Sequence, residues 1–180
     1  RGPDGWGRTL LTGDAIVDTS ASGTRTFTRQ PSARPRASVG LAHRRLAIID
    51  LSEGGHQPMA SPDRSSWLVY NGELYNYRTL RDQLVSTGTG IRSGSDTEVL
   101  LALLTSRDVN ALPMLRGMFA FAWGDERAER LVLARDRFGI KPLVFAESQP
   151  GRWCFGSEPA ALAAAGEIVL RPTPEQRDIV

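Results

Sequence analysis

The stretch GMFAFAWGD at 117–125, followed after a short polar turn by RLVLARD at 130–136, decides the fold class. Phe119, Phe121 and Trp123 alternate with Ala120, Ala122 and Gly124. Alternate residues of a strand face opposite sides, so one face of this run is bulky and the other small. Two such runs joined by a short polar segment predict an antiparallel hairpin. Strands of this kind suit a sheet covered by helices on one face and by a second sheet on the other.

Working outward, KPLVFAES at 141–148 and RWCFGSE at 152–158 predict another hairpin. PAALAAAG at 159–166 predicts a short helix opened by proline and ended by glycine. Upstream, Tyr77, Leu80 and Leu84 fall at helical spacing, and the pattern stops at Gly88. Ser95 and Glu98 form an S-x-x-E capping box ahead of the apolar run at 99–104, which predicts a helix starting at about Asp96. Residues 39–51 and 67–74 predict strands, the second bent where Asn71 and Gly72 interrupt its apolar run. The alternation predicts an α+β fold with antiparallel sheets.

A chain of 180 residues, 41% hydrophobic, suits one domain. Basic and acidic residues number 22 and 20, so charge gives no case for nucleic acid or an anionic membrane as partner. Lys141 is the only lysine, and the arginine and alanine content reads as the bias of a GC-rich, bacterial coding sequence. Residues 19–38 carry four arginines, no acid and much Ser, Thr and Pro, and are expected to form a solvated loop. No apolar run approaches the roughly 20 residues that cross a bilayer and no signal peptide is visible, so a cytoplasmic protein is expected. Cys154 is the single cysteine, and His43 and His56 stand apart, so neither a disulfide nor a metal site is expected.

Three segments carry chemistry: LAHRRLAIIDLS at 41–52, VYNGELYNY at 69–77 and GSDTEV at 94–99. Arg45 can pair with an α-carboxylate and Asp96 with an α-ammonium. Asn71 and Gly72 can offer two N–H donors to an oxyanion formed when a side-chain amide is attacked. Each has a plainer reading. Arg45 alone could be a surface or salt-bridge residue. Asp96 could serve only the helix dipole, worth about 0.3–1 kcal/mol. Asn-Gly is also the strongest short hairpin signal, although no second strand returns at hairpin distance after Gly72. Cys154 lies mid-strand between Trp153 and Phe155, where a buried, unreactive thiol is expected.

These segments, together with RGPDG at 1–5, GMFAFAWGD, ARDRFGIKPL at 134–143 and FGSEPAAL at 155–162, closely resemble the glutaminase domain of glutamine-dependent asparagine synthetases. That domain is a class II glutamine amidotransferase of the N-terminal nucleophile hydrolase type. The resemblance covers nearly the whole chain. It implies a four-layer αββα sandwich with two antiparallel sheets, lacking its first strand and helix, over residues 1–170, with 171–180 beginning the connection to a synthetase domain. It implies L-glutamine as substrate, with Arg45 on its carboxylate and Asp96, with Glu73 as a weaker partner, on its ammonium. It further implies that Leu46, Ile48 and Ile49 line the same site and that Asn71 and Gly72 form the oxyanion hole. The nucleophile implied is a chain-terminal cysteine upstream of Arg1, whose own α-amino group is the base, so this chain alone is expected to be inactive. Gly- and Pro-rich RGPDG, ARDRFGIKPL and FGSEPAAL are expected to set turns and close buried ion pairs, and ARDRFGIKPL could also face the partner domain.

No cofactor is implied for this chain. Mg-ATP and aspartate belong to a parent that makes asparagine, with a C-terminal synthetase domain as partner and a homodimer as an allowed assembly. The alternative implied is an inactive or scaffold glutaminase-like half of a β-lactam synthetase or peptide cyclase.

Overall fold

The computed structural model describes residues 5–12, 16–18, 24–28, 38–45 and 53–169. The chain divides into two compact units, Arg1–Lys141 and Pro142–Val180.

The first unit is built on a six-stranded sheet. Its strands are β2 (Ile16–Asp18), β3 (Thr24–Thr28), β5 (Met59–Ala60), β6 (Ser66–Leu74), β7 (Gly117–Asp125) and β8 (Arg130–Arg135). They lie in the order β2-β3-β8-β7-β6-β5, and every neighbouring pair is antiparallel. A separate antiparallel pair joins β1 (Gly5–Thr12) to β4 (Ser38–Arg45), running from Gly5 opposite Arg45 to Thr12 opposite Ser38. Two helices, α1 (Tyr77–Ser86) and α2 (Asp96–Arg107), follow β6, and a 3-10 stretch at Asp108–Met114 leads into β7.

The core lies between these helices and one face of the sheet. Leu68, Tyr70 and Leu74 of β6, Phe119, Phe121 and Trp123 of β7 and Val132 and Ala134 of β8 meet Leu80 and Leu84 of α1 and Val99, Leu100, Leu103 and Leu104 of α2. Burial of a large apolar side chain contributes about 1.5–3 kcal/mol, so this one layer dominates the unit's stability. The bulky face of 117–125 is therefore the helix-covered face. Trp123, 1% exposed, also satisfies its indole N–H on Ser66 Oγ at 2.7 Å.

The second unit contains an antiparallel hairpin, β9 (Val144–Gln149) with β10 (Arg152–Gly156), and the helix α3 (Pro159–Ala164). Proline opens α3, and Gly166, at φ +74°, lies just past its end. Both features match their sequence signals.

Two expectations need correction, and a third is met only in part. The segment 19–38 is not wholly a solvated loop, because Thr24–Thr28 forms β3 and pairs with Arg130–Ala134 of β8. Alternating β-branched threonines suit a strand once a neighbouring edge is offered, and composition alone does not reveal that edge. The strand expected at 39–51 is present over Ser38–Arg45, and its remainder, 46–51, lies outside the described residues. Finally, β6 is not interrupted at Asn71 and Gly72: Asn71 pairs with Ala120 and Gly72 with Phe119 in unbroken register. Glycine is required there by proximity. A Cβ on Gly72 would fall inside 3.0 Å of the Met118 carbonyl oxygen, 2.8 Å from Phe119 Cα and 2.9 Å from Tyr70 Cε2.

Candidate functional site

The sheet ladder itself assigns directions to the groups of β6. In an antiparallel pair, residues alternate between those that exchange both N–H···O bonds with the partner strand and those whose N–H and C=O point away. Tyr70 N–H donates to Gln57 Oε1 at 2.6 Å and Leu74 N–H to Asp96 Oδ2 at 3.0 Å, so the even-numbered residues of β6 turn their backbone groups away from β7. Gly72 belongs to the same set, and its N–H points to the same edge, between those two positions. On this side β5 pairs only with Trp67 and Leu68, and among the described residues no strand continues the ladder along Tyr70–Leu74. The edge is closed by side chains instead. His43 Nε2, from β4, donates to the Tyr70 carbonyl at 3.2 Å.

Asp96 is the first residue of α2 and is buried, 4% exposed. Its Oδ2 accepts both the Leu74 N–H and the Tyr70 O–H, the latter at 2.9 Å. Burial pushes its carboxyl above the usual carboxylate value, and the Leu74 N–H, Tyr70 O–H and Thr97 N–H donors offset part of that rise. Burial beside this carboxylate likewise pushes the Tyr70 phenol up. The start of α2 is fixed from both directions. Ser95 Oγ caps the Thr97 N–H at 3.2 Å, and Gln57 Nε2 donates to Thr97 Oγ1 at 3.4 Å. Glu98, expected to reach back to the cap residue, binds the N–H groups of Ser93 and Arg92 at 2.6 and 2.9 Å. The box is thus shifted upstream and ties down the loop entering the helix.

The structure brings Gly72 and Asp96 to one strand edge. Asn71 and Glu73 are half-buried and occupy the face of β6 opposite Tyr70. Arg45 ends β4, two positions after His43, and neighbouring Arg44 is exposed. The Arg45 side chain, and Leu46, Ile48 and Ile49 entirely, lie outside the described residues. Cys154 is half-buried in β10 of the second unit, with its thiol 3.4 Å from the Ala146 carbonyl oxygen. Among the described residues no group of three His, Cys, Asp or Glu side chains could hold a metal ion. A recess of about 490 Å³ beside Leu104, Asp108, Trp123 and Asp125 lies at the other end of α2 from Asp96.

Gln57 and Tyr70 are the site-building residues that sequence reasoning missed. Each acts on a partner far along the chain, and the available signals were a glutamine before Pro58 and a tyrosine before the Asn-Gly pair. The segment ARDRFGIKPL sets a turn, as expected, but a carboxylate among N–H donors organises it. Buried Asp136 accepts from the N–H groups of Phe119, Phe138, Ile140 and Lys141 at 3.0–3.2 Å.

Glutamine phosphoribosylpyrophosphate amidotransferase from B. subtilis superimposes on 71% of the chain with a TM-score of 0.59 and 28% identity, the match covering 29% of that protein. The architecture is therefore α+β of the N-terminal nucleophile hydrolase type found in amidotransferases. In sequence, residues 30–176 match the glutamine amidotransferase domain family, and the chain belongs to that family. Asparagine synthetase [glutamine-hydrolyzing] 1 of Bacillus subtilis is 47% identical over 59% of the chain and 17% of its own length. Asparagine synthetase B of Escherichia coli is 38% identical over 68% of the chain and 22% of its own length. Amidase chyE of Penicillium rubens is 40% identical over 77% of the chain and 21% of its own length. The chain spans about a fifth of the length of these relatives. Among the described residues no helix is long and apolar enough to cross a membrane.

Proposed function

We propose that this chain forms the glutamine-hydrolysing half of an amide-forming synthetase, with the glutamine held at the side-chain-closed edge of β6. The observation that carries the reading is the direction of the Gly72 N–H, aimed at that edge between the Gln57-capped Tyr70 and the Asp96-capped Leu74. A strand edge with one backbone donor beside a buried carboxylate can polarise an amide oxygen and hold an ammonium at once.

In this reading Arg45 pairs with the glutamine carboxylate, and Asp96, aided by Glu73, with its ammonium. Leu46, Ile48 and Ile49 line the same site. Asn71 Nδ2 and the Gly72 N–H stabilise the oxyanion. A chain-terminal cysteine of the parent protein attacks the side-chain amide carbon, and its thiol proton passes to its own α-amino group. The C–N bond then breaks, that proton leaves with the amine as ammonia, and a thioester remains. Water hydrolyses the thioester to glutamate and regenerates the thiol. Net, glutamine and water give glutamate and ammonia. Cys154 has no part in this scheme, being in mid-strand rather than at a chain terminus.

The ammonia is consumed by a C-terminal synthetase domain, which in an asparagine synthetase activates aspartate with Mg-ATP. Kinship with proteins of that name supports aspartate as acceptor. The test is glutamine hydrolysis by the full-length protein, followed by aspartate- and glutamine-dependent pyrophosphate release. Ammonia release that Asp96→Asn and Arg45→Ala both leave unaltered would refute the site. Robust glutaminase activity without aspartate-dependent pyrophosphate would redirect the acceptor to another carboxylate. A wild-type parent that folds but neither binds nor hydrolyses glutamine would favour the scaffold reading.

A further inference from the structure

We infer that Tyr70 is a positioning residue for ammonium recognition: its hydroxyl fixes the rotamer of the buried Asp96 carboxylate and keeps that carboxylate a charged acceptor for the substrate. The inference rests on the proposed role of Asp96 and adds a second residue to it.

Tyr70 is joined to the site at three points. Its N–H is held by Gln57 and its C=O by His43, and its O–H reaches Asp96 Oδ2 at 2.9 Å. Tyr70 is 4% exposed and packs in the core, so the phenol cannot swing to another acceptor without opening that core. Two donors on Oδ2, the Tyr70 O–H and Leu74 N–H, fix the plane of the carboxylate and leave further lone pairs for a ligand. The opposite wall is equally fixed, because Gln57 bridges the Tyr70 N–H to Thr97, the residue after Asp96. Strand, loop and helix terminus are therefore locked together around one acid.

The need for such a device follows from burial. A carboxylate withdrawn from water is driven toward its neutral form, and a neutral acid does not pair with an ammonium. Glu73 on β6 adds negative charge that pushes Asp96 the same way. Among the other charged groups nearby, Glu98 is committed to the Ser93 and Arg92 N–H groups, and Arg81 of α1 donates to the Ser93 carbonyl. The hydroxyl of Tyr70 is thus one of the few donors opposing neutralisation. Because it favours the charged form, its removal raises the Asp96 pKa further, and ammonium binding is lost at a higher pH.

The experiment uses the full-length glutamine-hydrolysing protein. Asp96→Asn is measured first, and an unchanged glutamine KM there refutes the underlying reading of Asp96. With Asp96 confirmed, Tyr70→Phe, which keeps the ring and deletes the hydroxyl, should raise KM about five- to tenfold with kcat within about twofold. The acid limb of L-glutamate binding (Kd against pH), which unlike kcat/KM does not need the α-amino base unprotonated, should move up by about one pH unit. A second variant carries 3-fluorotyrosine at position 70, a stronger donor of nearly the same size, and should move the acid limb downward. This opposite shift is one that loss of packing cannot produce. If Tyr70→Phe fails to fold, the fluorinated protein alone decides. An acid limb and KM equal to wild type in the folded variants overturn the inference while leaving Asp96 in place.

Discussion

Adding one methyl group at position 72 should damage both stability and turnover. The Cβ of Gly72→Ala would lie inside 3.0 Å of the Met118 carbonyl oxygen and 2.8 Å from Phe119 Cα. Both atoms belong to the backbone of β7, which is held to β6 at nine paired positions and to β8 at six, so they cannot move aside cheaply. Bringing such contacts to ordinary van der Waals separation requires the strands to part by about 1 Å, an overpacking of the kind that costs about 1–3 kcal/mol. For a domain of this size the expected loss in Tm is about 3–9 °C. At the proposed site the same displacement moves the Gly72 N–H away from the developing oxyanion, and a 1 Å misplacement costs about 100-fold in rate. Glutamate release at saturating glutamine, with a thermal melt on the same preparation, is the assay. A Gly72→Ala protein with wild-type Tm and kcat would show that β6 and β7 do not approach as described, and the oxyanion donor would have to lie elsewhere.

Three further outcomes are expected. Asn71→Ala should lower glutaminase kcat by about 100- to 1,000-fold with a smaller effect on KM, and steady-state kinetics on protein checked by circular dichroism would show it. Arg45→Ala should mainly raise the glutamine KM while ammonia-dependent synthesis by the full-length protein persists, so the ratio of glutamine- to ammonia-driven product formation is the readout. Asp136→Asn should destabilise the fold by about 2–4 kcal/mol at pH 7, because an amide cannot accept from all four N–H groups. Burial pushes the Asp136 carboxyl up, but those donors win and hold it below its usual value. Its stabilisation is therefore present above the unfolded pKa of about 3.9 and is lost as pH falls through the folded value. Urea midpoints of wild type and variant should accordingly converge below about pH 4.

Period and punctuation made much of the scaffold legible. The alternation of Phe119, Phe121 and Trp123 with small residues defined both faces of β7, and Tyr77, Leu80 and Leu84 defined the buried side of α1. What stayed hidden depended on partners distant in sequence. Thr24–Thr28 is a strand because β8 offers it an edge, and nothing local to those threonines says so. Asn71 and Gly72 read locally as a bend, yet the ladder to Ala120 and Phe119 keeps them extended, and glycine answers a close approach across strands. Asp96 was singled out for its charge at a helix start, but its clasp by Tyr70 and Leu74 spans more than 20 residues and has no periodic signature. Leu46, Ile48 and Ile49 were named from resemblance alone and lie outside the described residues, and of this segment Arg45→Ala tests the first residue.

The way β6 is finished along Tyr70–Leu74 also bears on solubility. A bare run of strand edge is a template on which another chain can build, and proteins commonly blunt such edges with charge or bulges. Here the Gln57 amide and the Asp96 carboxylate occupy the donors on either side of Gly72, so at most one rung is left for an intruding strand, too few to nucleate a ladder. Substitutions that free those two flanking donors would therefore carry a hazard separate from any lost activity: self-association through the very edge proposed to hold glutamine.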